Sequence, residues 1–208
     1  MNEKGEIYWK EFNESGNFTA EQAAKFEKYY DLLIDWNEKF NLTAITDVKS
    51  VINYHYKDSI YISKFIDFEN LDTICDVGSG AGFPGIPLKI LYPHLSVILI
   101  EVNNKKVQFL KMLIDRLDLS DVKIESLDWR TFLRKTDYSI DLFLARASLQ
   151  PEELIKIFKP GCRYNEATLV YFASQEWQPT EKENLYKIRE EVYKVGNKKR
   201  KYVFFKKI

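Results

Sequence analysis

Asp76, Gly78, Gly80, Gly82 and Glu101 are the residues of this 208-residue chain whose types and spacing most narrowly define a chemistry. Residues 76–90 read DVGSGAGFPGIPLKI. Glycine tolerates turn dihedrals and, having no Cβ, lets the backbone come close to a ligand. A helix opening behind such a turn presents unpaired N–H groups. The apolar stretch 71–77 has strand length, and the chain after the glycines reads as helix to about Tyr92. Strand, glycine turn and helix is the context in which a G-x-G-x-G run signals nucleotide binding. Glu101 ends a second apolar strand, 95–101. A carboxylate about 20 residues beyond the glycines is placed to accept hydrogen bonds from both ribose hydroxyls. It also disfavours a 2′-phosphorylated nucleotide, which would prefer a cation there.

The glycines alone fit either a dinucleotide or S-adenosylmethionine, and three details favour the second. Asp76 lies two residues before the first glycine, where a carboxylate suits a cationic amino-acid tail better than a pyrophosphate. Gly82 follows Gly80 at two residues, not at the three of the dinucleotide fingerprint. Phe83 and Pro84 then crowd the helix start, which suits an aromatic or apolar wall. The plainer alternative is a glycine turn that only packs helix on strand.

The elements that must position these residues alternate along the chain. Thr19-Ala-Glu-Gln22 reads as a capping box. Phe26, Tyr30, Leu33, Asn37 and Phe40 then mark a helical stripe at spacings of three and four. Asp47 is a cap for a further helix carrying Val51, Tyr54, His55, Asp58 and Ile62. Strands are expected at 71–77, 95–101, 122–127, 140–145 and 167–173, and helices at 85–92, 104–118, 130–134 and 151–158. This alternation implies a parallel sheet with helices on both faces. Residues 189–195 and 201–206, joined through Gly196-Asn197, read as an antiparallel hairpin. The fold class is therefore α/β, a doubly wound and mostly parallel sheet in residues 71–208, with residues 1–70 as an N-terminal helical cap of the same unit.

A ligand in such a sheet lies outside the strands' carboxyl ends. Loops 78–85, 101–106, 127–131 and 145–150 converge there. Asp128, in the third loop, is placed to accept from the adenine amine. Trp129 beside it is placed to stack or to offer its backbone N–H, and Arg130 belongs to the same edge. Arg146 leaves the fourth strand into the crevice, where a two-pronged hydrogen bond to the cofactor carboxylate or a substrate phosphate is available. A structural pairing with Asp141 or Asp128 is its alternative.

Residues 76–90, the upstream WNEKFNLTAIT (36–46) and HYKDS (55–59), and the downstream KKVQFL (105–110) and Arg146-Ala147 together resemble the glucose-inhibited division protein B family. The resemblance runs from about Leu32 to Ala147 and, more loosely, to the C-terminus. It implies a seven-stranded sheet of the S-adenosylmethionine methyltransferase type, closed by an antiparallel strand. It also implies methyl transfer to N7 of a guanine in 16S ribosomal RNA. That acceptor carries no proton, so no catalytic base is expected and alignment does most of the work. Of the residues in the matching motifs, His55, Lys105, Lys106 and Arg146 are candidates for contact with RNA. A lone histidine on an apolar helical face is, however, more often a hydrogen-bonded core residue. Two departures stand out: Asp128-Trp129-Arg130 where the family usually has Arg-Ala-Glu, and Ala173-Ser174 where it has Lys-Gly. A methyltransferase with another acceptor, or a non-catalytic ribosome-binding protein on the same fold, are the rival readings.

Composition bounds the remainder. Hydrophobic residues make up 45% and charged residues 30%, as in an ordinary soluble domain. No apolar run nears the ~20 residues that span a bilayer, and the polar, acidic N-terminus is no secretory signal. Cys75 and Cys162 are too few for a disulfide framework, and no Cys/His spacing suggests a metal. A cytoplasmic monomer is expected, with 16S ribosomal RNA, the small subunit or an assembly intermediate as partner and no membrane. Net charge is zero but unevenly spread: −5 over residues 1–70, 0 over 71–160 and +5 over 161–208. The basic run 197–207 interleaves cations with aromatics, which reads either as an edge strand kept soluble by lysines or as a phosphate-contacting edge.

Overall fold

The computed structural model describes residues 3–207. Two long helices, α1 (Glu3–Gly16) and α2 (Ala20–Phe40), open the cap. α2 starts at the expected capping box, with Thr19 and Gln22 each bonded to the other's backbone N–H. Its buried stripe is Phe26, Tyr29 and Leu33. The anticipated stripe placed Tyr30 there; Tyr30 instead turns outward and donates its hydroxyl to the Thr46 carbonyl. α1 was not anticipated, although its Trp9 and Phe12 are buried against α2.

Asp47 caps α3 (Val48–Val51) through its side chain. The expected helix then widens into a π-turn (Ile52–Lys57) before α4 (Asp58–Ile60) and a 3₁₀ turn over Tyr61–Lys64. A π-turn inserts an extra residue per turn and is frequent at functional sites.

The core alternates as expected: β1 (Thr73–Val77), α5 (Gly85–Leu91), β2 (Ser96–Ile100), α6 (Asn104–Arg116), β3 (Val122–Glu125), α7 (Trp129–Lys135), β4 (Leu142–Arg146), α8 (Pro151–Leu154) and β5 (Thr168–Ser174). A short α9 (Glu181–Asn184) precedes the hairpin of β6 (Lys187–Val195) and β7 (Lys198–Phe205), turned by Gly196 and Asn197. The sheet order is β3-β2-β1-β4-β5-β7-β6. β1 to β5 run parallel, and β7 lies antiparallel to β5 and β6. Strand order reverses between β1 and β4, which opens the ligand crevice of such sheets at that point.

The sheet separates two apolar layers. One unites Phe26, Tyr29, Leu33, Val51 and Tyr56 of the cap with Ile74, Leu99, Leu144 and Phe172 of the sheet. The cap thus buries its apolar face against the same core as the sheet. The other layer gathers Trp129, Phe132, Phe143, Leu154 and Phe158 on the opposite face.

Candidate functional site

The loop after β1 is built around three left-handed glycines. Gly78, Gly80 and Gly82 have φ of 70°, 60° and 97°. At Gly78 a Cβ would also fall 2.4 Å from the Ser148 Cβ, so this turn accepts only glycine. At Gly80 the nearest atom to a Cβ is 4.0 Å away, which leaves open space above the loop. The Tyr29 hydroxyl donates to the Ala81 carbonyl and ties the loop to α2.

The loop's amides are almost all used internally. Gly78 and Ser79 donate to the Ile100 carbonyl, Gly80 to Glu101 Oε2 at 2.9 Å, and Gly82 and Phe83 to the Ser79 carbonyl. The expected free amides at the start of α5 are also absent: Gly85 donates to Asp76 Oδ2 at 2.9 Å, Ile86 to the Gly82 carbonyl, and residue 87 is proline. What the loop offers instead is acceptors. Among the described residues no hydrogen bond falls on the Gly78 carbonyl, and the fully buried Asp76 Oδ1 has no partner. Glu101 is buried; its oxygens accept from Gly80 and Asn103, each retaining a lone pair. A site poor in donors and rich in acceptors is no cradle for a pyrophosphate. It suits an ammonium group and hydroxyls.

Burial pushes the Asp76 carboxyl up to about 7, against the Gly85 amide and the Arg146 charge that favour the ionised form. Gly85 packs so closely on Asp76 that a Cβ there would approach Oδ2 to 3.0 Å.

Arg146 does not pair with Asp141 or Asp128. Asp141 accepts from the amides of Asp72 and Thr73, and Asp128 from the amide and hydroxyl of Thr131. Arg146 reaches into the cap instead. Its Nη1 donates to the Tyr54 carbonyl at 2.8 Å and to Asp58 Oδ2 at 3.1 Å, and its Nη2 to His55 Nδ1 at 3.2 Å. Three of its five N–H groups are thereby used. Its guanidinium also lies 5.2 Å from the Phe83 ring centroid.

His55 is buried and stacked on Phe83 at 4.4 Å. Burial and the Arg146 charge push it down to about 3, so the ring is neutral. Arginine only donates, so Nδ1 is the acceptor and the proton sits on Nε2, 3.0 Å from Thr43 Oγ1. Both nitrogens are committed, and the ring does not face solvent where RNA would meet it. Phe83, expected as an open wall, is itself buried and stacks on Tyr29 at 5.1 Å.

The adenine edge also differs from expectation. Asp128 caps α7, with both oxygens engaged by Thr131, and these bonds hold its carboxyl below the usual range. Trp129 cannot stack on a base: its ring is buried against Phe132 and Phe143, and its indole N–H goes to the Glu153 carbonyl at 2.9 Å. Arg130 is held bidentately by Glu153. Only backbone groups of this loop remain for a ligand. Lys105 and Lys106 open α6 behind the Asn103 cap, with Lys105 exposed.

Four features had no clear sequence signal. Ala147 sits at φ 50°, a conformation that costs a non-glycine residue of order 1–3 kcal/mol and concentrates at functional sites. Ser148 Oγ beside Gly78 is buried without a partner. The π-turn aims Tyr54 and His55 at Arg146. Arg200 brings its Nε to 3.2 Å from Asp58 Oδ1. Ala173 and Ser174 lie opposite Lys201 and Arg200 in β7, so cations do stand next to the strand end where the family pattern has its lysine. Tyr29 was discoverable, because 26, 29 and 33 also follow helical spacing.

Comparison with known proteins gives this arrangement a context. Residues 22–204 match the family model GidB, rRNA small subunit methyltransferase G. The Ribosomal RNA small subunit methyltransferase G of Listeria welshimeri is 40% identical over 162 residues, 77% of this chain and 68% of that protein. The protein of that name from Bacillus licheniformis is 43% identical over 67% of this chain and 59% of its own length, and that from Bacillus subtilis 40% identical over 72% and 63%. The matched segment thus spans about three fifths to two thirds of these relatives. Among solved structures, a variant of MtNAS in complex with S-adenosylmethionine superposes with a TM-score of 0.59 at 15% identity, covering 96% of this chain and 84% of that one. The METTL16 MTase domain gives 0.59 at 16% identity, covering 89% and 80%. The fold is that of the S-adenosylmethionine methyltransferases, and the chain belongs to the rRNA small subunit methyltransferase G family.

Proposed function

We propose that this chain methylates N7 of a guanine in 16S ribosomal RNA with S-adenosylmethionine. The observation that carries the reading is the donor-poor, acceptor-rich glycine loop at the β1–β4 switch point. Its Gly78 carbonyl and Asp76 Oδ1 suit the ammonium of the amino-acid tail, and Glu101 suits the ribose hydroxyls. The backbone of 127–129 suits the adenine edge. The two N–H groups that Arg146 keeps free suit the carboxylate tail.

When bound, the cofactor supplies a methyl group on a sulfonium that is already a good leaving group. This chain's residues then need only align the acceptor and exclude water. Guanine N7 has a lone pair and no proton, so no residue must remove one. That agrees with a neutral His55 whose two nitrogens are both occupied. The substrate is the RNA itself, the small subunit or an assembly intermediate. A cytoplasmic monomer fits this role, and no helix among the described residues is long and apolar enough to cross a membrane.

The test is transfer of labelled methyl from cofactor to RNA from a strain lacking this protein, followed by nucleoside analysis. Labelled 7-methylguanosine is the expected product. Cofactor binding without RNA labelling would point to another acceptor. No cofactor binding at all would point to a non-catalytic ribosome-binding protein.

A further inference from the structure

The turn of the β6–β7 hairpin rests on the cap. The Tyr54 hydroxyl donates to Asn197 Oδ1, and a Cβ on Gly196 would meet that hydroxyl at 3.0 Å. Between this turn, the end of α1, the π-turn and the C-terminal end of α5 lies a cavity of about 760 Å³. Lys57, Lys64 and Lys194 line it together with Phe18, Tyr61 and Tyr92, and no carboxylate does. None of the three lysines has an acidic partner within 4 Å among the described residues, although Lys57 is half-buried. Lys64 lies over the Tyr61 ring at 4.5 Å.

Like charges gathered at one cleft repel unless something supplies the opposite sign. The other large cleft, about 780 Å³ along α7, shows the contrast. It also gathers cations, of which Arg134 and Lys159 have no ion pair among the described residues. But Arg130 and Lys156 are paired with Glu153 and Arg163 with Asp137, the Asp128 carboxylate lines it, and no aromatic does. Free cations along a groove are what single-stranded nucleic acid requires for phosphate neutralisation. The aromatic rings beside them are already packed on protein, Tyr61 on Tyr193, Tyr92 on Phe68 and Phe18 on Phe12, and serve as apolar walls of the groove. RNA is best gripped at such unpaired stretches.

We infer that an unpaired stretch of the substrate RNA docks in the cleft between cap and hairpin, its phosphates against Lys57, Lys64 and Lys194. This rests on the RNA methyltransferase reading above. The cleft shares the π-turn with the catalytic crevice: Asn53 and Lys57 line it, and Tyr54 and His55 of the same turn hold Arg146. RNA held outside is therefore anchored on the same turn whose Tyr54 and His55 fix the arginine inside.

The experiment compares the full chain with its K57Q/K64Q/K194Q variant on small-subunit ribosomal RNA transcribed in vitro. Each lysine–phosphate contact on a single strand contributes about 0.7 to the slope of log affinity against log salt, so the variant's slope should be shallower by about 2. The KM for RNA should rise by about tenfold or more at moderate salt, with kcat at saturating RNA, cofactor affinity and thermal midpoint unchanged. An unaltered slope and KM in an active enzyme would overturn the assignment. So would a loss seen on intact small subunits but not on protein-free RNA, which would make the cleft a protein-docking surface. If the unmodified chain labels no ribosomal RNA, the functional reading itself fails, and this inference with it.

Discussion

Asp58 and Arg146 meet at 3.1 Å across 88 positions of sequence, and that contact fastens the cap to the C-terminal end of β4. Asp58 is fully buried, takes the Tyr193 hydroxyl at 2.6 Å, and has Arg200 within 3.2 Å. Removing one member of a buried ion pair costs about 3–5 kcal/mol, because the remaining charges are left unpaired. Asp58→Ala should therefore lower the thermal midpoint by roughly 6–20 °C for a domain of this size. Calorimetry decides; a shift under 2 °C would mean that the pair holds nothing.

Arg146→Lys separates pairing from positioning. Lysine keeps a cation beside Asp58 but loses the planar fork that also reaches Tyr54 and His55. Turnover on ribosomal RNA should fall about a hundredfold while the thermal midpoint moves little. Equal turnover would leave Arg146 as a purely structural tie.

Gly80→Ala tests the loop. The left-handed conformation costs an alanine about 1–2 kcal/mol, but no atom lies within 4 Å except the Gly78 carbonyl at 4.0 Å. The chain should fold, slightly weakened, and bind S-adenosylmethionine at least several-fold less tightly by titration calorimetry. Wild-type affinity would place the cofactor elsewhere.

Trp129→Phe checks the reassignment of that residue from ligand contact to core. The variant loses the indole bond to the Glu153 carbonyl, worth about 0.5–1.5 kcal/mol. Stability should drop by about that amount while cofactor affinity is unchanged. A tenfold loss of affinity would return the side chain to the crevice.

Acid stability should show two opposed titrations. His55 is held at about 3 in the fold against 6.5 unfolded, so only the unfolded chain takes up this proton between those values. Its contribution is present above pH 6.5 and is lost as pH falls toward 3. Asp76 is raised to about 7 from 3.8, so the folded state holds the extra proton. Its contribution is complete below pH 3.8 and is lost as pH rises through 7. Between about pH 4 and 6.5 the two cancel. Relative to the parent, Asp76→Asn should lose about 1.4 kcal/mol per pH unit toward acid in that window, and His55→Gln should gain as much. Urea midpoints across pH measure both; parallel curves for all three proteins would refute the assignment.

Much of the fold was legible because its signals are local. The strand, glycine turn and helix of 71–92 and the hairpin through Gly196-Asn197 each carry their pattern within a few residues. The capping box at Thr19 behaves the same way. Within the site, Glu101 does lie at the end of β2 beside the glycine loop. What could not be read is what depends on distant partners. Arg146 finds Asp58 and not its neighbour Asp141, because Asp141 is already satisfied by the amides that start β1. Trp129 turns into the core because an apolar layer lies under α7, and no pattern within 127–131 reveals that. The π-turn has no compositional signature at all, since a six-residue run of INYHYK is equally compatible with an ordinary helix.

The clasp on Asp58 also bears on when the molecule comes to life. The carboxylate is synthesised before its partners, which lie 88 and 135 positions further along the chain. Closing this clasp is therefore a late, long-range event: the cap is locked to the sheet only once β4 and the β6–β7 hairpin have both found their places.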